Sequence, residues 1–147
     1  MFGFAAALLL AAAPAQPADT WKGVLCAHDP ARGGLIQSDI YYSYGAAKVW
    51  TIGPNALTPV DPTKIAQAKG KSFYTNNDPV IIGGLTYKKY GLPRVLSAAE
   101  LDPKAHGGKD GATFYHEVGL PKGAKVEVVY LLTQAVGCEF QPYALAD

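Results

Sequence analysis

The sequence predicts an all-β fold: a small antiparallel sandwich or barrel of about seven to nine short strands, with one or two short helices. Three observations lead there. Gly and Pro, 16 and 11 residues respectively, punctuate the chain and leave only short apolar segments between them. Those segments are built mainly from Val, Ile, Tyr and Phe, which suit a pleated, half-buried surface. Two cysteines, Cys26 and Cys138, stand near opposite ends of the folded part and would close a loop of about a hundred residues.

The first residues read as an address. Phe4 to Ala13 is an uninterrupted run of Ala, Leu and Phe, closed by Ala13-Pro14-Ala15. An apolar core of this length before a small-x-small pattern fits an export signal. It is too short to span a bilayer, which takes about 20 apolar residues. Met1 to Phe4 carries no Lys or Arg, so the usual positive n-region is absent. The expected organisation is a signal over residues 1–15 and a single β-rich domain over residues 16–147, periplasmic or secreted. No second run of comparable length follows, so no membrane insertion is expected after cleavage. In such a compartment Cys26 and Cys138 are expected to form a disulfide joining the first strand to the last.

Taken in order, Trp21 to Ala27 reads as the first strand and His28 to Gly34 as a loop. Leu35 to Tyr44 and Ala47 to Ile52 form the clearest hairpin, turning at Gly45-Ala46. Gly53 to Pro62, with three prolines, reads as a loop. Asp61-Pro62 opens an expected short helix that Gly70 ends and that would plug an end or edge of the sheets. Lys71 to Thr75 and Val80 to Ile82 read as strands around Asn76-Asn77-Asp78-Pro79, and Gly83-Gly84 turns the second into Leu85 to Tyr90. Ser97-Ala98-Ala99-Glu100 is a capping box. Pro103 to Gly111 reads as a polar loop, and Ala112 to Val118 and Lys125 to Thr133 as the last long strands before Cys138 to Tyr143. Val128 to Leu132 is apolar at every position, as a central strand covered on both faces would be.

Charge narrows the choice of partners. Thirteen basic against twelve acidic residues leave a net charge of +1, with no long basic run to neutralise a phosphate backbone. Nucleic acid is therefore not an expected partner. No cofactor motif and no metal-ligand spacing is present, and the templates for a nucleophile elbow or a zinc protease are missing. His28, beside Asp29, and His116 are the two imidazoles on which a small hydrolase or transferase could be built. Each has a plainer reading. Asp29 before Pro30 starts a turn, and His116 sits at a core edge bonded to a carbonyl.

The aromatics carry more information. Nine Tyr and two Trp are heavy use for a domain of this size. With a two-residue turn at Gly45-Ala46, Tyr42 falls opposite Val49 and Tyr41 opposite Trp50. Ile40, Tyr42, Tyr44 and Val49 then share an inward face. Gln37, Asp39, Tyr41, Ser43, Lys48 and Trp50 share the other. A Tyr41–Trp50 pair framed by Asp39 and Lys48 is suited to a saccharide, a peptide or an envelope protein. The expected function is a non-enzymatic exported binding domain. An inhibitor of a hydrolase is a variant of that expectation, and the small hydrolase or transferase is its rival.

Overall fold

The computed structural model describes Gly3, residues 13–45 and residues 47–146. The body of the expected signal, Phe4–Ala12, lies outside the described residues, as does Ala46 of the expected hairpin turn. Ala13 and Ala15 are exposed, and local structure begins where Gln16 and Thr20 exchange side-chain hydrogen bonds with the backbone. Among the described residues no helix is long and apolar enough to cross a membrane.

The chain is all-β, and the described residues form eleven strands in two antiparallel sheets. The first sheet runs in chain order: β1 (Thr20–Asp29), β2 (Gly34–Ser43), β3 (Val49–Ile52) and β4 (Leu57–Val60). The second sheet holds β5 (Val80–Ile82), β6 (Leu85–Lys89), β7 (Arg94–Val95), β8 (Gly107–Lys109), β9 (Ala112–Tyr115), β10 (Val128–Gln134) and β11 (Glu139–Leu145). Its spatial order is β5-β6-β11-β10-β9-β8, with β7 on the first residues of β11.

One junction joins the sheets. The turn between β10 and β11 lies along the free edge of β1, where Cys26 N–H donates to the Ala135 carbonyl at 3.0 Å and Gly137 N–H to the Val24 carbonyl at 2.9 Å. The Cys26–Cys138 disulfide closes the same junction, with Cα atoms 5.1 Å apart and a sequence separation of 112. At the other end of the β1–β2 hairpin connection, Leu35 N–H donates to the Pro103 carbonyl at 2.8 Å. Gly34 is required there: its φ is +121°, and a Cβ would lie 1.9 Å from that carbonyl oxygen.

Three cores follow from strand alternation. Val129 and Leu131 point to one face of the second sheet, against Phe73, Val80, Tyr87, Phe114 and Tyr143. Tyr130 and Leu132 point to the other, against Tyr115, Phe140, Leu101 and, from the first sheet, Cys26 and Leu35. β10 is thus covered on both faces, as its unbroken apolar run implies. The opposite face of the first sheet packs Leu25, Ile40 and Val49 onto Ala135, with Tyr42, Val60, Ile65 and Val136 around them.

Several elements differ from the sequence reading. The expected helix after Asp61 is a single 3-10 turn, Pro62–Lys64, capped by the Asp61 carboxylate. Beyond it the chain extends, because β9 pairs with β10 only at Tyr130 and Leu131. The next two carbonyls, Leu132 and Thr133, are taken by the amides of Ala68 and Lys69. Tertiary hydrogen bonds there outweigh a short helix, which is marginal alone. Lys71–Thr75 is not a strand: Ser72–Thr75 forms a one-turn helix, α1, that places Phe73 in the core. Asn77, at φ +57°, ends it, and its side-chain carbonyl holds the Lys89 ammonium.

Two expected loops hold strands. β4 occupies part of Gly53 to Pro62, because an edge strand tolerates Pro59, whose missing N–H has no further neighbour to serve. β8 occupies part of Pro103 to Gly111 and turns into β9 at Asp110-Gly111, both left-handed at φ +51° and +83°. Tyr44, expected inward, is 76% exposed, because β2 ends at Ser43 and its ring leans edge-on against Trp21 instead.

Replacing Cys26 and Cys138 together by Ser should lower unfolding free energy by about 4–5 kcal/mol, the chain-entropy value for so long a loop. Denaturant titration of the oxidised and variant proteins measures it; equal midpoints would show that the junction stands on packing alone. Alkali supplies a second test. Tyr115 and Tyr143 are fully buried, and burial pushes both phenols up to about 12. In the unfolded chain they ionise near pH ~10. The stabilisation is therefore whole below pH ~10 and is lost as pH rises towards 12. Phenolate absorbance should show two late-titrating tyrosines ionising together with loss of fold.

Candidate functional site: an aromatic ladder across the four-stranded sheet

The first sheet is anchored at one end and bare at the other. Near Cys26 and Leu35 its Cys26 face lies on the second sheet; towards Lys22 and Ser43 the same face is open. On that open part the register sets four residues in one transverse row. Lys22 lies opposite Tyr41, Tyr41 opposite Trp50, and Trp50 opposite Pro59. Directly opposed residues are the nearest cross-strand neighbours, so the register lines up a cation, two aromatic residues and a proline. Tyr41 and Trp50 are half-buried, and Lys22 and Pro59 are exposed.

Trp50 and Pro59 also form a wall of an open cleft of about 660 Å³, whose other sides include Lys48, Asp61 and Pro62. Two of these groups are held in place. Lys48 is fixed through its backbone, which exchanges hydrogen bonds with Ser43. The Asp61 carboxylate accepts from the Thr63 hydroxyl at 2.6 Å and the Thr63 amide at 3.0 Å. Those bonds, with Lys64 nearby, hold its pKa below the ordinary value, so the carboxylate stays charged at neutral pH. The cleft therefore offers an apolar floor with an ammonium and a carboxylate at its rim.

The four residues expected on this face are distributed unevenly. Tyr41 and Trp50 are paired, and Trp50 and Lys48 share the cleft. Asp39 is exposed on the same face but lies one step further along β2, opposite Val24 and away from the cleft. Pro59, Asp61 and Pro62 were not expected. The sequence signal for them is only Leu57 and Val60 around a proline, which a loop explains equally well.

A second aromatic group occupies the reverse face of the same hairpin end. Trp21 lies opposite Tyr42 with ring centroids 6.4 Å apart, and Tyr44 meets Trp21 edge-on at 4.1 Å. Tyr42 leans over Gly23, where a Cβ would come within 2.9 Å of its ring. Both tryptophans and three of the nine tyrosines thus gather at one end of the three strands β1, β2 and β3.

The histidines lie elsewhere. His28 Nδ1 is 2.9 Å from the hydroxyl of buried Tyr115. His116 Nδ1 is 2.9 Å from the Glu117 carbonyl, and its ring stands edge-on to His106 with centroids 5.3 Å apart. Burial and the neighbouring His116 lower the pKa of His106. Among the described residues no group of three or more His, Cys, Asp or Glu side chains is arranged to hold a metal ion. No family model matches the chain, and neither a curated protein nor a solved structure does.

The two faces of β2 and β3 should respond differently to truncation. Ile40 is fully buried, and Ile40→Ala should cost about 3 kcal/mol of stability, within the usual range for a core aliphatic. Trp50→Ala should cost about 1 kcal/mol or less, as changes outside the core do. Urea unfolding of both variants decides; comparable losses would mean that the ladder is itself core.

Proposed function

We propose that this chain is a non-enzymatic binding domain, exported through a cleavable signal into the periplasm or the medium, that recognises a saccharide along the Tyr41–Trp50 ladder. The observation that carries the reading is the strip Lys22–Tyr41–Trp50–Pro59 opening onto the cleft with Lys48 and Asp61. Sugar rings present apolar C–H faces that stack on aromatic rings, and hydroxyls around their edges that need donors and acceptors. An indole floor with a rim ammonium and carboxylate meets both needs. Export is in keeping with the Cys26–Cys138 bridge, which belongs to an oxidising environment.

A peptide or protein ligand would use the same rings, and inhibition of a hydrolase would be one form of that. The strip favours a sugar because two aromatic residues stand side by side with polar groups at the margin. A hydrolase or transferase centred on His28 or His116 has less support. His28 meets a phenol, and His116 meets a backbone carbonyl and another imidazole.

A glycan array followed by calorimetric titration of the best soluble oligosaccharide tests the proposal. Trp50→Ala should weaken binding by about 2 kcal/mol, near thirtyfold, as loss of a central aromatic anchor does. Trp21→Ala, on the reverse face, should leave affinity unchanged. Absence of any glycan ligand, or affinity indifferent to Trp50, would overturn it.

A further inference from the structure

A second pocket, of about 320 Å³, lies among β7, the 3-10 turn at Ala98–Glu100 and the segment after β9. Its floor is Tyr130, almost fully buried on β10. The phenol hydroxyl donates to Glu117 Oε1 at 2.9 Å and accepts from Arg94 Nη2 at 3.3 Å. The Arg94 guanidinium also stands over the Tyr130 ring, 5.2 Å from its centroid. Glu100 completes the polar lining, and Leu96, Leu101 and Val118 supply apolar walls.

What matters is the bonding capacity left over. Glu117 spends one carboxylate oxygen on Tyr130, and Glu100 spends Oε2 on the Ser97 amide, so each keeps one oxygen for a ligand. Among the described residues Arg94 has no carboxylate within ion-pair distance, and the one ion pair there is Arg32–Asp29. Its remaining N–H groups are unspent on acids. The Tyr130 hydroxyl therefore links a cation and an anion that do not neutralise each other directly.

The charges select the ligand. A metal ion would meet two partly committed carboxylates and a guanidinium that repels it. A simple anion would meet Arg94 but also Glu100 and Glu117. A ligand bearing both signs close together satisfies all three. We infer that this pocket binds a free α-amino acid, its carboxylate on Arg94, its ammonium between Glu117 and Glu100, and an apolar side chain against Leu96, Leu101 and Val118. The volume agrees, since it lies at the low end of the range for small-molecule sites. The walls favour an aliphatic side chain, and leucine is the probe of choice. This inference is independent of the saccharide reading.

The experiment is titration of the intact, oxidised protein with L-leucine, read by calorimetry and by amide chemical shifts. Saturable binding is expected, with shifts centred on Leu101, Glu117, Val118 and Tyr130. 4-Methylpentanoate, which is leucine without the ammonium, and isoamylamine, which is leucine without the carboxylate, should each bind at least tenfold more weakly, the loss of one charged hydrogen-bonding group. Arg94→Gln and Glu117→Gln should each weaken leucine at least tenfold while leaving binding at the Trp50 cleft intact. Absence of shifts at millimolar leucine would overturn the inference, as would analogues that bind equally well or variants that bind leucine unchanged. The analogue series needs no mutation, so a variant that fails to fold leaves the test decisive.

Discussion

The structure depends on the way β1 is held against the β10–β11 turn. Two backbone hydrogen bonds and one covalent bond converge on three residues of β1, Val24 to Cys26, and on Ala135 to Cys138 opposite them. The turn itself is shaped for this contact. Gly137 and Cys138 both adopt left-handed backbone, at φ +88° and +53°, which reverses the chain while aiming the Cys138 sulfur at Cys26. A non-glycine residue in that region carries local strain, and the disulfide and the Cys138 amide bond to Ala135 hold it there.

This junction explains why one hairpin behaves as two structures. Near Cys26 the β1–β2 pair is sandwiched, with one face on Tyr115, Leu132 and Phe140 and the other on Ala135. Further along, towards Lys22 and Ser43, the strands leave that shared core. The same alternation that buries Cys26 and Leu35 then delivers Lys22, Tyr41 and Trp50 to an open surface, and Trp21 and Tyr42 to its reverse. The hydrophobic residues of the hairpin thus divide by distance from the junction as much as by parity. Tyr42 shows both effects, with its face set by parity and its half-burial set by its place near the free end.

The two candidate sites also differ in kind. The ladder is placed by strand register, which sets Tyr41 opposite Trp50. The Arg94–Tyr130–Glu117 pocket is made by three segments remote in sequence, brought together because Leu101 bridges to Glu117 and β7 docks on β11. Its central phenol is kept protonated by burial first and by its bond to Glu117 second, and so remains a hydrogen-bond donor.

Much of this was legible in the chain. The all-β class, the Cys26–Cys138 bridge, the capping box at Ser97, the Gly83-Gly84 turn and the Tyr41–Trp50 and Tyr42–Val49 pairings all follow from local chemistry: turn residues, period-two alternation and cysteine count. Where the reading failed, a competitor from outside the segment had won. Ala68 and Lys69 leave a helical pattern to serve carbonyls on β10, and Phe73 folds inward on a helix because the core above β5 needs a ring. Asp110-Gly111 was a hairpin signal hidden in a glycine-rich run, and Pro59 hid an edge strand. The sequence by itself determined which residues alternate, where the chain turns and that its ends are tied, because these depend on neighbours a few bonds away. Only the tertiary structure decided which end of the hairpin stays bare and which distant polar groups meet around Tyr130. Those outcomes depend on where a second sheet stops covering the first, a quantity that no local pattern encodes.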